Sequence, residues 1–319
     1  MNRLILVLAA LVLSFQVHAQ AWPAKPVKII APFAPGGSAD TLGRLVAQKL
    51  SEQLKESFVV ENRAGAGGVV GSELVARSAP DGYTLVVSGI ASHVIAPLLP
   101  RGTPYDAMKD FTHIALLGGP PAVFAVNPSL PAKTLKEFVA LAKQQPGKLT
   151  YGSPGPGTQG QLVAELFKQV AGIDVLHVPY KGASAAVADL IGGQINSVST
   201  TLTTASGAIK GGRARAIGLT SAERLPDYPG IPTFAEQGYP DLVAIVWFSL
   251  SGPAGMAPEI VNKLNGEVRR ALETSEVRER VRHDGIVPNR LDAKEFSAFV
   301  ADELRRWGPI VRNSGAKND

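Results

Sequence analysis

Two glycine-rich turns hold the residues best placed for chemistry. The first is Ala31-Pro32-Phe33-Ala34-Pro35-Gly36-Gly37-Ser38-Ala39-Asp40, and the second is Gly152-Ser153-Pro154-Gly155-Pro156-Gly157-Thr158-Gln159-Gly160. Each follows a β-type run and precedes a helical run. A helix that starts at such a turn presents backbone N–H groups without intrahelical partners, at the positive end of its dipole. Those donors attract a carboxylate or a phosphate. With one turn in each of two domains, the helix starts can face each other across a cleft and hold a small dianion, or a carboxylate at each end. The plainer reading is that both are ordinary strand-to-helix connections. Asp40 is also open to two readings: a helix-start acid that interacts with the dipole, or an acceptor for a ligand's ammonium, hydroxyl or water.

Other chemistries find less support. Gly155-x-Gly157-x-x-Gly160 has the spacing of a dinucleotide fingerprint, but the acidic residue expected about 20 residues on, at the end of the next strand, is missing. Asp174 comes too early, and the turn carries two prolines. No Gly-Lys-Ser/Thr phosphate loop occurs. His93, His113, His177 and His283 lack metal-binding spacing, and there is no Gly-x-Ser-x-Gly elbow. No catalytic residue, metal or cofactor is therefore expected. Trp247-Phe248 reads as core, or as an aromatic wall where the chain crosses between domains.

The elements that must position the turns can be read from hydrophobic patterning. β-type runs at 27–33, 58–61, 84–88, 123–126, 149–151, 175–178, 195–200 and 214–220 alternate with helical patterns at 42–54, 135–143, 162–170 and 183–191. This alternation predicts an α/β fold with mostly parallel sheets and helices on both faces. The strands are continuous apolar runs, as in sheets covered on both sides. From Pro258 onward the pattern is helical only, which predicts a tail that packs back on the first domain. A crossing near Asn127-Pro128 and a return near 239–247 predict a first lobe of 22–126 with 248–319, and a second lobe of 127–247.

Bulk properties narrow the class. Arg3, the apolar run 4–15 and Val17-His18-Ala19 read as a signal peptide over residues 1–19. The run is shorter than the ~20 residues that span a bilayer. A soluble protein exported to the periplasm is expected. The chain of 319 residues has no cysteine, which removes disulfides, thiol catalysis and cysteine metal sites. A chain of this size stabilises itself by core burial alone. The formal charge of +5 is spread along the chain. Arg269-Arg270 and Arg305-Arg306 lie in amphipathic helical stretches and read as solvated faces, not as nucleic-acid contacts.

An ordered set of short motifs then resembles one family along nearly the whole mature chain. The set runs Trp22-Pro23-Ala24-Lys25-Pro26, Pro32 to Asp40, Val60-Glu61-Asn62-Arg63-Ala64-Gly65-Ala66-Gly67-Gly68 and Ala79-Pro80-Asp81-Gly82-Tyr83-Thr84-Leu85. It continues with Tyr105-Asp106, Lys109-Asp110-Phe111, Pro146-Gly147-Lys148-Leu149, His177-Val178-Pro179-Tyr180-Lys181-Gly182, Pro232-Thr233-Phe234-Ala235-Glu236 and Pro253-Ala254-Gly255. This chain resembles the Bug receptors, the periplasmic solute-binding family of tripartite tricarboxylate transporters.

The resemblance implies a two-lobed periplasmic binding fold of type II, the Venus-flytrap arrangement, closing on a small carboxylate ligand. It implies no enzyme activity. The partners would be membrane transporter subunits or, alternatively, a membrane sensor kinase, with the receptor a monomer. An exported carboxylate-processing enzyme is the more distant rival. In the family, one loop from each lobe, with ordered waters, holds the ligand's proximal carboxylate. Mapped here, the expected ligand-binding residues are Phe33, Gly36, Gly37, Ser38, Asp40, Ser88, Ser153, Gly157, Thr158, Gln159 and Thr200. Two departures stand out. Thr158-Gln159-Gly160-Gln161 replaces a Ser/Thr-rich stretch that commonly ends in His, and hydroxyls at Ser199-Thr200 replace a frequent acid. Both fall where specificity would be set.

Overall fold

The computed structural model describes residues 22–283, 286 and 291–313. The expected signal peptide lies outside the described residues. The strands are β1 (Val27–Ala31), β2 (Phe58–Asn62), β3 (Thr84–Gly89), β4 (Phe111–Gly118), β5 (Ala122–Val126), β6 (Thr150–Ser153), β7 (Leu176–Pro179), β8 (Ser197–Thr201), β9 (Arg215–Leu219) and β10 (Phe248–Pro253). The helices are α1 (Ser38–Leu54), α2 (Val69–Ala76), α3 (Leu135–Gln144), α4 (Gln159–Ala171), α5 (Ala183–Ile191), α6 (Leu202–Lys210), α7 (Pro258–Glu273), α8 (Ser275–His283) and α9 (Ala293–Asn313).

These elements build the expected two-lobed α/β fold around two five-stranded sheets, ordered β2-β1-β3-β10-β4 and β7-β6-β8-β5-β9. The sheets repeat one plan. In each, a first strand lies between its two parallel neighbours: β1 between β2 and β3, and β6 between β7 and β8. The fourth position is taken by a strand that arrives from the other lobe and runs antiparallel to both neighbours. The sheets are therefore mixed, not mostly parallel. An apolar run reports burial, but it carries no information on the direction of its partner.

The lobe boundary also differs from the sequence reading. β5 belongs to the second sheet, so the chain crosses at Gly119-Pro120-Pro121 and not at 126–127. The two crossing segments pair with each other through a bridge between Pro121 and Ile245, and the Val246 N–H donates to the Pro120 carbonyl at 2.9 Å. Gly119 is required there, because a Cβ would lie 2.2 Å from the Val246 carbonyl oxygen.

Two strands, β4 and β10, escaped the sequence reading. Ser249-Leu250-Ser251-Gly252-Pro253 has the composition of a turn, yet β10 is buried along its whole length between β3 and β4. It tolerates burial because the Ser249 and Ser251 hydroxyls each hydrogen-bond Ser88 at 2.7 Å.

The C-terminal helices pack on the first lobe, as α7 lies on β4 and α1, and α9 on β4. Trp247 Nε1 and Trp307 Nε1 donate to the buried Glu303 carboxylate at 2.9 and 3.1 Å. The Trp247 bond ties α9 to the returning chain segment, and the Trp307 bond, within α9, helps to satisfy the carboxylate.

Candidate ligand-binding cleft

Each glycine turn is held by the same local device. In the first lobe Gly36 has φ +79°, and its N–H donates to Asp40 Oδ2 at 3.0 Å. In the second, Gly157 has φ +70°, and its N–H donates to Gln161 Oε1 at 2.8 Å. The positive φ suits glycine, and a side chain four residues on closes the turn. Asp40 also accepts from Asn62 Nδ2 at 2.9 Å and pairs with Arg44 at 2.9 Å. Burial works against ionisation of Asp40, but Arg44, the Gly36 N–H and Asn62 outweigh it and hold the carboxyl below its ordinary value of 3.8. Asn62 also donates to the Phe33 carbonyl at 3.0 Å, which fixes the other end of the turn.

Both helices then start with donors that precede the helical ladder and have no partner among the described residues. In α1 the first intrahelical bond runs from Thr41 N–H to the Gly37 carbonyl at 2.9 Å, and Gly37 provides no side-chain cap. The Ser38 and Ala39 N–H groups precede that ladder. In α4 the Leu162 N–H reaches the Thr158 carbonyl at 3.1 Å and the Gln161 N–H reaches Thr158 Oγ1 at 3.4 Å. The Gln159 and Gly160 N–H groups precede it.

The two helix starts line one cleft. Its walls are Phe33, Gly37, Ser38 and Ala39 of the first turn, Pro154, Thr158, Gln159 and Gly160 of the second, and Thr200 and Thr201 at the end of β8. A short π turn after β3, Ala91–Ile95, contributes Ala91 and Ser92, and the crossing chain contributes Val246 and Phe248. Among the described residues, no charged side chain lines the cleft.

The lobes are closed over it. Ser38 Oγ lies 2.6 Å from Thr201 Oγ1, and Ser184 Oγ donates to the Pro35 carbonyl at 2.8 Å. About 50 Å³ remains open to water-sized molecules. Gln159 is 1% exposed, and neither its amide oxygen nor its amide nitrogen has a partner among the described residues. The same holds for the Thr200 hydroxyl. Buried polar atoms are nearly always satisfied, so these two side chains point to a ligand as the missing partner.

The family model for the tripartite tricarboxylate transporter family receptor matches residues 42–316. This chain belongs to that family. BugT of Bordetella pertussis is 37% identical over 302 residues, 94% of this chain and 93% of that protein. Among solved structures, Rpa4515 of R. palustris with adipate has 32% identity and a TM-score of 0.90, covering 93% of this chain and 99% of that one. MatC from Rhodopseudomonas palustris with bound malate has 31% identity and a TM-score of 0.86, covering 91% and 100%. The family is one of transporter receptors and not of enzymes.

In this receptor the structure divides the residues singled out by sequence. Phe33, Gly37, Ser38, Thr158, Gln159 and Thr200 share the cleft. The others do not line it. Asp40 is turned away, with its oxygens occupied by Gly36, Asn62 and Arg44, so its geometry is that of a turn anchor. The Gly36 and Gly157 N–H groups are taken by Asp40 and Gln161. Ser88 faces Ser249 and Ser251 inside the first sheet. Ser153 Oγ lies 2.7 Å from His177 Nε2 and accepts from the Gly155 N–H at 3.2 Å. Sequence reasoning missed Ala91, Ser92, Thr201 and Val246, whereas Phe248 takes the wall position that the sequence offered beside a core reading. A signal for Ala91 and Ser92 was present: β3 also ends in a glycine, Gly89, followed by a helical turn.

Proposed function

We propose that this chain is an exported periplasmic receptor that captures a small carboxylate between its lobes and presents it to a tripartite tricarboxylate-type membrane transporter. One observation carries the reading: two helix N-termini, one per lobe, converge on a single closed cleft whose buried Gln159 and Thr200 lack partners among the described residues. A carboxylate there receives backbone N–H donors from both lobes, and charge-assisted hydrogen bonds of that kind are strong. A ligand that bridges the lobes favours the closed state by its differential affinity for it. The relatives solved with adipate and malate support a carboxylate as the ligand class.

Calorimetry with a panel of small organic acids tests the site. At least one acid is expected to bind in a single cleft, and Gly37→Val is expected to lower its affinity by at least ~10-fold by filling space beside the Ser38 N–H. A panel in which no acid binds, or a Gly37→Val variant with wild-type affinity, refutes the site. Loss of uptake of the bound acid on deleting the gene tests the transport role separately from signalling.

A further inference from the structure

Behind the cleft wall lies a buried ring that ligand capture by the two helix starts leaves unused. His93 is fully buried in the π turn Ala91–Ile95, and its Nδ1 lies 3.0 Å from Oγ of the neighbouring Ser92, which lines the cleft. The backbone of Ser92 is held as well, because the Tyr105 hydroxyl donates to its carbonyl at 2.6 Å. The other ring nitrogen of His93, Nε2, is buried and has no hydrogen-bond partner among the described residues. Around the ring stand Phe111, His113 and Tyr105, with centroids 4.3, 5.9 and 6.1 Å away. His113 turns its own Nδ1 toward Ser251 Oγ, 3.3 Å away. Burial keeps the His93 ring neutral.

A neutral imidazole carries one N–H, and the two nitrogens of His93 have unlike settings. A proton on Nε2 would be a buried donor without an acceptor. A proton on Nδ1 points at Ser92 Oγ and leaves Nε2 a bare acceptor. Orphaned buried donors are rarer than under-used acceptors, so the environment selects the Nδ1–H form. Ser92 Oγ then accepts from the ring, and its own hydrogen is free to turn to the cleft. The opposite tautomer would draw that hydrogen back to His93 and leave a bare oxygen facing the ligand.

We propose that His93 is a positioning residue of the receptor: its Nδ1–H···Oγ hydrogen bond makes Ser92 a donor to an acceptor oxygen of the bound acid, beside the helix starts of α1 and α4. The proposal rests on the receptor reading above and deepens it. The ring polarises the hydroxyl, and hydrogen bonds linked in this way strengthen one another. The π turn serves the same end, since it places His93 in the core while its neighbour lines the cleft.

The tautomer can be read in the ligand-free receptor. With 15N-labelled histidine, a long-range proton–nitrogen correlation spectrum is expected to show His93 Nδ1 as the pyrrole-type nitrogen and Nε2 as the pyridine-type one. The reverse pattern overturns the proposal. Calorimetry supplies the second arm, with malate, adipate and benzoate as probes and the tightest binder carried forward. Ser92→Ala is expected to lower its affinity ~10-fold or more. His93→Phe keeps a ring and removes the donor. It is expected to lower affinity ~10-fold with Ser92 present and less than ~3-fold in the Ser92→Ala background. A purely structural role for His93 would cost the same in both backgrounds. Equal losses, or wild-type affinity in Ser92→Ala, overturn the proposal and leave the receptor reading standing. No binding by any of the three acids overturns the receptor reading and the proposal with it. Where His93→Phe fails to fold, the tautomer and Ser92→Ala decide the matter.

Discussion

The turn of the first lobe and the turn of the second share one geometry and differ in how it is held. Both close a left-handed glycine with a side chain four residues on. In the first lobe that side chain is the carboxylate of Asp40, backed by Arg44 and Asn62. In the second it is the neutral amide of Gln161. A charged anchor with three partners is strong but depends on protonation, whereas an amide is weaker and insensitive to acid. The two halves of the cleft therefore reach the same shape with different tolerance to mutation and to pH.

The contrast is broken most severely at Asp40. Asp40→Ala leaves the Gly36 N–H, Asn62 and Arg44 without their acceptor and is expected to cost about 3 kcal/mol in urea unfolding. Equal costs for Asp40→Ala and Gln161→Ala would erase the distinction between the two anchors.

Acid sharpens it next, once a background is removed. His93 and His113 sit behind the cleft with ring centroids 5.9 Å apart. Burial, with the charge of His113 adding to it, holds His93 well below its ordinary 6.5. Burial lowers His113 to about 4, against a smaller opposing hydrogen bond with Ala107. Both are neutral in the folded state, so the unfolded chain takes up protons first as pH falls below 6.5. Stability is expected to decline from there down to about pH 4, with His113 contributing about 3 kcal/mol in all. A His113→Gln variant should show a shallower decline. The Asp40 contribution has the opposite kind of origin. Its folded value is depressed, so its stabilisation is full above 3.8 and is lost only as pH falls below that. An Asp40→Asn variant that falls short of wild type at about pH 6, with the gap narrowing as pH falls below 3.8, would place the carboxylate where we put it.

Closure is the next way to test how the halves meet. Gly182 has an extended backbone that any residue adopts, but a Cβ there would lie 2.8 Å from Ala34 Cβ of the other lobe. Gly182→Ala is expected to lower ligand affinity ~10- to 100-fold, the equivalent of about 1–3 kcal/mol of overpacking, with little change in melting temperature. Unaltered affinity would mean that the lobes need not approach this closely. The smallest effect is expected for Gln161→Ala, which loses one neutral hydrogen bond and should cost about 1 kcal/mol in urea unfolding.

Much of this was legible along the chain. The strand–glycine–helix pattern located both turns, because a turn and the helix it opens are held by groups four residues apart. A common spacing, Gly36 to Asp40 and Gly157 to Gln161, stood in the sequence but did not by itself mark the anchors, because an acid at a helix start looks the same whether it faces a ligand or its own turn. β10 was illegible because its serines read as a turn, and only Ser88 and its neighbours across the sheet make their burial tolerable.

Local sequence thus determined where each half of the cleft begins, since helix capping is settled within a single turn of chain. Tertiary structure alone decided which residues look into the cleft and that the halves meet there. Ser38 and Thr201 are 163 residues apart along the chain and 2.6 Å apart in space. Their meeting depends on strand order and direction, and on two crossings of the chain, none of which hydrophobic periodicity encodes.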